Sequence, residues 1–232
     1  MDDKVSIVGD VAKLDLDRAS RCGMPEVVLA EGKETDALVD IVINYVKAAG
    51  RCVISRISRE QTDAVCRSLP AGITPEERKG GILIVSDGRK PVPSGGVVGI
   101  LTAGTSDIRV AEEAKAIAEE MGAEVLSSYD AGVAGIHRLF PALDSLKRAD
   151  VYIVCAGREG TLPSVVAGLV DKPVIGVPVS TGYGYMGKGE AALASMLQSC
   201  AVITVVNIDA GITAGAFAAR TAALIANGRK EA

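Results

Sequence analysis

Cys155-Ala-Gly-Arg-Glu-Gly-Thr-Leu-Pro-Ser-Val-Val-Ala-Gly-Leu-Val-Asp-Lys-Pro-Val-Ile-Gly-Val-Pro-Val-Ser-Thr-Gly182 decides the fold. It reads as the end of a buried strand, a Gly-rich turn and a short helix of small residues. A second buried strand follows and ends in another polar, glycine-containing turn. In an open parallel sheet, turns that follow successive strands lie on one edge of the sheet, where ligands bind. The two turns, with Gly157, Arg158, Gly160, Thr181 and Gly182, are therefore expected to bind substrate.

Working outward, residues 97–232 repeat the same alternation. Strands are expected at Val97–Leu101, Glu124–Ser128, Val151–Cys155 and Val202–Val206. Helices are expected from the Thr-Ser-Asp107 turn to Met121, around Ala142–Arg148, around Glu190–Ser199 and from about Ala210. Strands alternating with helices predict an α/β fold with a doubly wound, flavodoxin-like parallel sheet. A smaller α/β unit precedes it, with strands at Val27–Ala30, Cys52–Ser55 and Ile82–Val85. Its helices are expected at Thr35–Ala49, where apolar residues recur at three- and four-residue steps, and at Glu60–Leu69. The first 20 residues show weak periodicity, and Pro70–Gly81 reads as turns. Asp87-Gly-Arg-Lys-Pro-Val-Pro-Ser-Gly-Gly96 reads as a linker, dividing the chain into 1–92 and 93–232.

Composition narrows the function. Nearly half the 232 residues are apolar and the net charge is −4, which argues against a nucleic-acid surface. No apolar run reaches the roughly 18 residues of a membrane span, and the polar Met-Asp-Asp-Lys start does not resemble a signal peptide. A cytoplasmic protein without membrane partners is expected. Five cysteines without a C-x-x-C pair do not suggest a disulfide framework, and a single histidine excludes a multi-histidine metal site.

Four places carry candidate chemistry. Gly104-Thr-Ser-Asp107 closes a strand and opens a helix, where backbone N–H groups favour an anion and Ser106 adds a hydroxyl. Asp107 can cap that helix, hold a sugar hydroxyl or ligate a metal. His137-Arg138 follows a strand, and a guanidinium suits phosphate or carboxylate. Glu159 in the Gly-rich turn could act as general base if apolar neighbours raise its pKa. Cys200 follows an apolar helix; a helix C-terminus disfavours a thiolate, so physics alone does not select it.

Together these motifs resemble two related families. Gly104-Thr-Ser-Asp107, Gly135-Ile-His-Arg-Leu139, Ala156-Gly-Arg-Glu-Gly-Thr-Leu-Pro163 and Pro173–Pro178 resemble the motifs of phosphoribosylaminoimidazole carboxylase/mutase. Three features depart from that pattern. Thr161 replaces a histidine, Arg158-Glu159 is inserted, and Cys200 stands where that family carries proline. The departures match the LarB family, which makes the nickel-pincer nucleotide cofactor. Arg18-x-x-Arg-x-Gly-x-Pro-Glu-Val-Val28, Gly32-Lys33, the G-Y-G turn, S-C-A and V-N-I-D agree with it as well.

The LarB resemblance implies carboxylation of nicotinic acid adenine dinucleotide at pyridine C5 and hydrolysis of its phosphoanhydride, releasing AMP. Carbon dioxide or bicarbonate would be co-substrate. It implies Cys200 as nucleophile, Glu159 as base and His137 as proton carrier or ring orienter. Gly104, Thr105, Ser106, Asp107 and Arg138 would hold ribose and phosphates. Mg²⁺ is an expected cofactor, with Asp107 as ligand, and a homo-octamer the expected assembly. Two alternatives stay open: a purine-pathway carboxylase/mutase with an added domain, and a non-catalytic nucleotide sensor.

Overall fold

The structure, a computed structural model, describes residues 5–8 and 12–231; the polar start, residues 1–4, lies outside them. The chain divides into two compact units between Lys90 and Pro91.

The first unit holds strands β1 (Val5–Val8) and β2 (Ala12–Asp15), helix α1 (Arg18–Cys22), β3 (Val27–Leu29), α2 (Thr35–Ala49), β4 (Arg51–Ser55), α3 (Arg59–Ser68), β5 (Thr74–Arg78) and β6 (Ile82–Ser86). β1 and β2 form an antiparallel pair, and the other four strands a mixed sheet of order β3-β4-β6-β5. The apolar stripe of α2 (Leu38, Ile41, Val42, Tyr45, Val46) is buried against this sheet's inner face, and Gly50 ends the helix in the left-handed region at φ 78°. Helix α3 opens with a reciprocal cap between Ser58 and Gln61.

Four elements here differ from the sequence reading. The polar N-terminal stretch contains β1, β2 and α1, and the turn-rich Pro70–Gly81 contains β5. β5 is an exposed edge strand carrying Pro75, so it needs neither apolar alternation nor a full set of N–H donors.

The second unit holds β7 (Val97–Thr102), α4 (Ile108–Glu120), β8 (Glu124–Ser128), α5 (Leu139–Ser145), β9 (Val151–Ala156), α6 (Thr161–Ala167), β10 (Val174–Pro178), α7 (Glu190–Leu197), β11 (Thr204–Val205) and α8 (Gly211–Glu231). All paired strands of this sheet are parallel, in the order β11-β10-β9-β7-β8. That is the flavodoxin-like order, with its switch point at β7. β9 shows why both faces are covered. Val151, Ile153 and Cys155 point to the α4/α8 side, whereas Tyr152, Val154 and Ala156 point to the α5/α6/α7 side. The expected last strand, 202–206, shrinks to two residues, and the helix expected around Ala142–Arg148 starts earlier, at Leu139.

The α4/α8 seam depends on residues without bulk. A Cβ at Gly215 would lie 2.3 Å from the Ala114 carbonyl oxygen and 2.3 Å from Ile117 Cγ2. Gly215→Ala gains about 1 kcal/mol of helix propensity. Overpacking against an immovable carbonyl costs about 3 kcal/mol, the upper end of its range. A net loss of about 2 kcal/mol is expected, read as a lower urea midpoint at unchanged slope. Gly228 lies in the same helix with nothing within 4 Å of its added Cβ. Gly228→Ala is expected to stabilise by about 0.5 kcal/mol, the propensity gain reduced by fraying near the end. Equal effects at the two glycines would refute the close seam.

Candidate active site

The turns after β7, β8, β9 and β10 meet at the carboxyl edge of the second sheet and enclose a pocket of about 370 Å³. A larger cleft, about 690 Å³, lies at the opposite edge. Its buried Asp150 is held by both guanidinium nitrogens of Arg229 at 2.9 Å, and Arg148 pairs with Glu124 at 2.5 Å. The first pair ties the start of β9 to α8, the second ties it to the start of β8, and neither presents a nucleophile. The smaller pocket, at the topological switch point, is the site the architecture favours.

Its walls are largely main chain. At Gly157 an added Cβ would meet Asp107 Oδ1, Gly182 N and Thr181 Oγ1, each at 3.2 Å, so the turns after β9 and β10 approach backbone to backbone. Gly160 adopts φ 68° at the start of α6, and its missing Cβ makes room for the Ala192 carbonyl, 2.6 Å from where that carbon would lie.

Asp107 is the buried charge of the site. It is 3% exposed, and its carboxylate accepts from Gly104 N at 2.9 Å and from Thr181 Oγ1 at 3.3 Å. Burial pushes its pKa up and the nearby Asp209 adds to this, while the bonds from Gly104, Thr181 and Ser106 oppose it. Asp209 accepts from Ser180 N at 2.9 Å and from Ser180 Oγ at 2.5 Å, fastening the turn after β10 to the segment after β11.

Of the expected site residues, Gly104, Ser106, Asp107, Gly157, Arg158, Glu159, Gly160, Thr181 and Gly182 line this pocket. Thr105 is exposed on the same turn but not among the lining residues. His137 and Arg138 sit exposed in the 3₁₀ segment Val133–Arg138, which offers the pocket Val133 and Ala134 instead. Arg138 pairs with Asp130 at 2.7 Å. Glu159 lines the pocket but is exposed, so the single chain does not supply the apolar surroundings expected around it.

Cys200 stands apart. The first turn of α7 packs on Gly160, and the helix rises about 7 Å from Ala192 to Leu197, away from the pocket. Ser199 then accepts from Ser164 Oγ at 2.7 Å and from Ala201 N at 3.1 Å, leaving Cys200 exposed beyond the foot of the helix. The structure thus does not bring Cys200 and Glu159 together within one chain. Cys155 is fully buried and its thiol is pushed far up by burial, so it is unsuited to nucleophilic work. Cys200 is the exposed thiol of this unit.

Tyr183 and Thr161 were not among the expected site residues, yet both line the pocket. Tyr183 directly follows Gly182 in the same turn, and Thr161 stands at the departure from the purine-enzyme motif; those adjacencies were the available signals. Among the described residues no group of three or more His, Cys, Asp or Glu side chains could hold a metal. Both Asp107 oxygens are engaged by Gly104 and Thr181. The pocket offers the carboxylates of Asp107 and Glu159, too few for an all-protein cage, so a Mg²⁺ there would share its coordination with substrate phosphates. No helix among the described residues is long and apolar enough to cross a membrane.

Comparison with known proteins agrees with this architecture. The AIR carboxylase family matches residues 97–231, and the LarB/PurE-like N-terminal domain matches residues 6–84. An uncharacterized protein of Methanocaldococcus jannaschii is 46% identical over 212 residues, 89% of this chain and 82% of that protein. The N5-carboxyaminoimidazole ribonucleotide mutase of the same organism is 37% identical over 130 residues, 54% of this chain and 78% of the mutase. That of Thermotoga maritima is 33% identical over 90 residues, 36% of this chain and 50% of the mutase. The chain belongs to the AIR carboxylase family and, with its LarB/PurE-like N-terminal domain, to the LarB branch of it.

Proposed function

We propose that the protein is a pyridinium-3,5-biscarboxylic acid mononucleotide synthase of nickel-pincer cofactor biosynthesis. It would carboxylate nicotinic acid adenine dinucleotide at C5 and hydrolyse the phosphoanhydride, releasing AMP. The observation that carries this reading is the turn Gly157–Leu162, which offers the pocket the carboxylate of Glu159 and has Thr161 where purine carboxylases carry histidine.

A pyridinium ring is too electron-poor to attack carbon dioxide. Addition of the Cys200 thiolate forms a C–S bond and moves the ring electrons toward nitrogen, giving a dihydropyridine with a nucleophilic C5. C5 then forms a C–C bond to carbon dioxide. Glu159 takes the C5 proton, and departure of the thiolate restores the aromatic ring. One difficult step becomes several easier ones. Aminoimidazole is already electron-rich and needs no such nucleophile. Asp107 and Ser106, which line the pocket, would hold ribose hydroxyls and phosphate, and water would attack phosphorus to release AMP.

Because Cys200 lies beyond the foot of α7, its thiol would reach a pocket from another copy of the chain, in keeping with a homo-octamer. Exposed Leu197 and Val202 flank it, at 67% and 93% exposure, and suit a subunit contact. His137 and Arg138 would likewise act across such a contact.

The test is mass spectrometry of products after incubation with nicotinic acid adenine dinucleotide, bicarbonate and Mg²⁺. The expected result is AMP together with a mononucleotide heavier by one carboxylate. Turnover of aminoimidazole ribonucleotide with none of the dinucleotide would refute the proposal. Binding of the dinucleotide without either product would favour a sensor.

A further inference from the structure

Among the described residues Tyr183 is the one aromatic side chain lining the pocket, and it is 75% exposed at the pocket's mouth. It sits on a loop closed at its base, where Gly182 O accepts from Lys188 N at 3.1 Å. The Arg158 guanidinium lies over its ring, 4.2 Å from the centroid. A planar cation thus already rests on a tyrosine face inside the candidate site. Such an arrangement draws on the negative face of the ring and strengthens as water is excluded.

We infer that Tyr183 is the specificity residue on which the cationic pyridinium ring of the substrate stacks, and that Arg158 exchanges from this face to the substrate's diphosphate. The inference rests on the proposed reaction. Guanidinium and pyridinium are both flat and carry positive charge in the plane that would lie on the tyrosine, and the pyridinium's carboxylate stays at the ring's edge, so the ring can take the guanidinium's place on that face. The displaced arginine then meets the diphosphate, for which its donor fork is suited. A neutral dihydropyridine, with the same ribose and phosphates, gains little from the tyrosine face. The pocket would therefore distinguish two forms of one dinucleotide by ring charge alone.

The experiment measures affinity by calorimetry for nicotinic acid adenine dinucleotide and for its reduced, dihydropyridine form, using wild type, Tyr183→Phe, Tyr183→Ala and Arg158→Ala. Tyr183→Ala is expected to weaken the oxidised form about tenfold and the reduced form less than about threefold. Tyr183→Phe, which keeps the ring, should retain the wild-type ratio. Arg158→Ala should weaken the oxidised form more than the reduced one, since only the cationic ring displaces the guanidinium onto the diphosphate. Equal weakening of the two forms in Tyr183→Ala, or none, would overturn the stacking role. Unchanged affinity for the oxidised form in Arg158→Ala would overturn the exchange. A wild type that binds neither form overturns this inference and the proposed reaction together. A wild type that binds the oxidised form yet makes no carboxylated product overturns the reaction alone, and the affinity ratio still decides the role of Tyr183.

Discussion

Cys200→Ala is expected to lower carboxylation of nicotinic acid adenine dinucleotide by on the order of 10⁴-fold, as loss of an enzyme nucleophile does. Dinucleotide affinity should stay within about threefold of wild type, because an alanine there removes no partner of the phosphates or ribose. The position of the thiol makes the prediction more specific. Cys200 lies beyond the foot of α7, while Glu159 lines the pocket near its head. Glu159→Gln alone should cost about 10²–10⁴-fold as a lost general base. Coexpressing the two variants should then yield mixed oligomers more active than either parent, since some pockets would receive an intact thiol from a neighbour. Full carboxylation by Cys200→Ala would end its assignment as nucleophile. A mixture no better than its parents would end the idea that the thiol crosses between copies.

Asp107→Asn should make the protein more stable and a poorer binder at once. Burial raises the Asp107 pKa in the folded chain, so the fold favours the protonated acid. Stability from this group is fully present below the unfolded carboxylate value, about 4. It is lost as pH rises through the higher folded value. At pH 7 the buried charge is a cost that asparagine removes while keeping an acceptor for Gly104 N. The variant's melting temperature should therefore exceed wild type at pH 7, and the difference should close toward pH 3. A hydrogen bond from a ribose hydroxyl to a charged acceptor contributes about 1.5–3 kcal/mol. Its loss should weaken dinucleotide binding by about 10- to 100-fold. Equal melting temperatures at pH 7, or undiminished affinity, would contradict the role given to this carboxylate.

The sheet was legible because each buried parallel strand is a short apolar run ended by a glycine-rich turn, and such runs need no partner to be recognised. Val97–Thr102 and Val151–Ala156 are of this kind. β5 was not legible, because an exposed edge strand has little reason to alternate. The pocket turns could be read for a related reason: in a doubly wound sheet, topology alone brings the ends of β7 and β9 together. Position along a helix was harder to read. Neither spacing nor composition reveals that α7 carries the chain away from the pocket before reaching Cys200. The long segment Thr181–Gly189 likewise gave no sign that Tyr183 would take up a guanidinium at the mouth.

Five of the seventeen residues around the pocket are glycine and three are alanine. A wall made of peptide groups keeps its shape when side chains change, so its hydrogen-bonding pattern is shielded from most point mutations. Chemical novelty in such a site has to come through the few positions that bear functional groups, such as Glu159, Thr161 and Tyr183. Divergence from an imidazole substrate to a pyridine one could then proceed by re-dressing a fixed cradle, each step leaving phosphate recognition in working order.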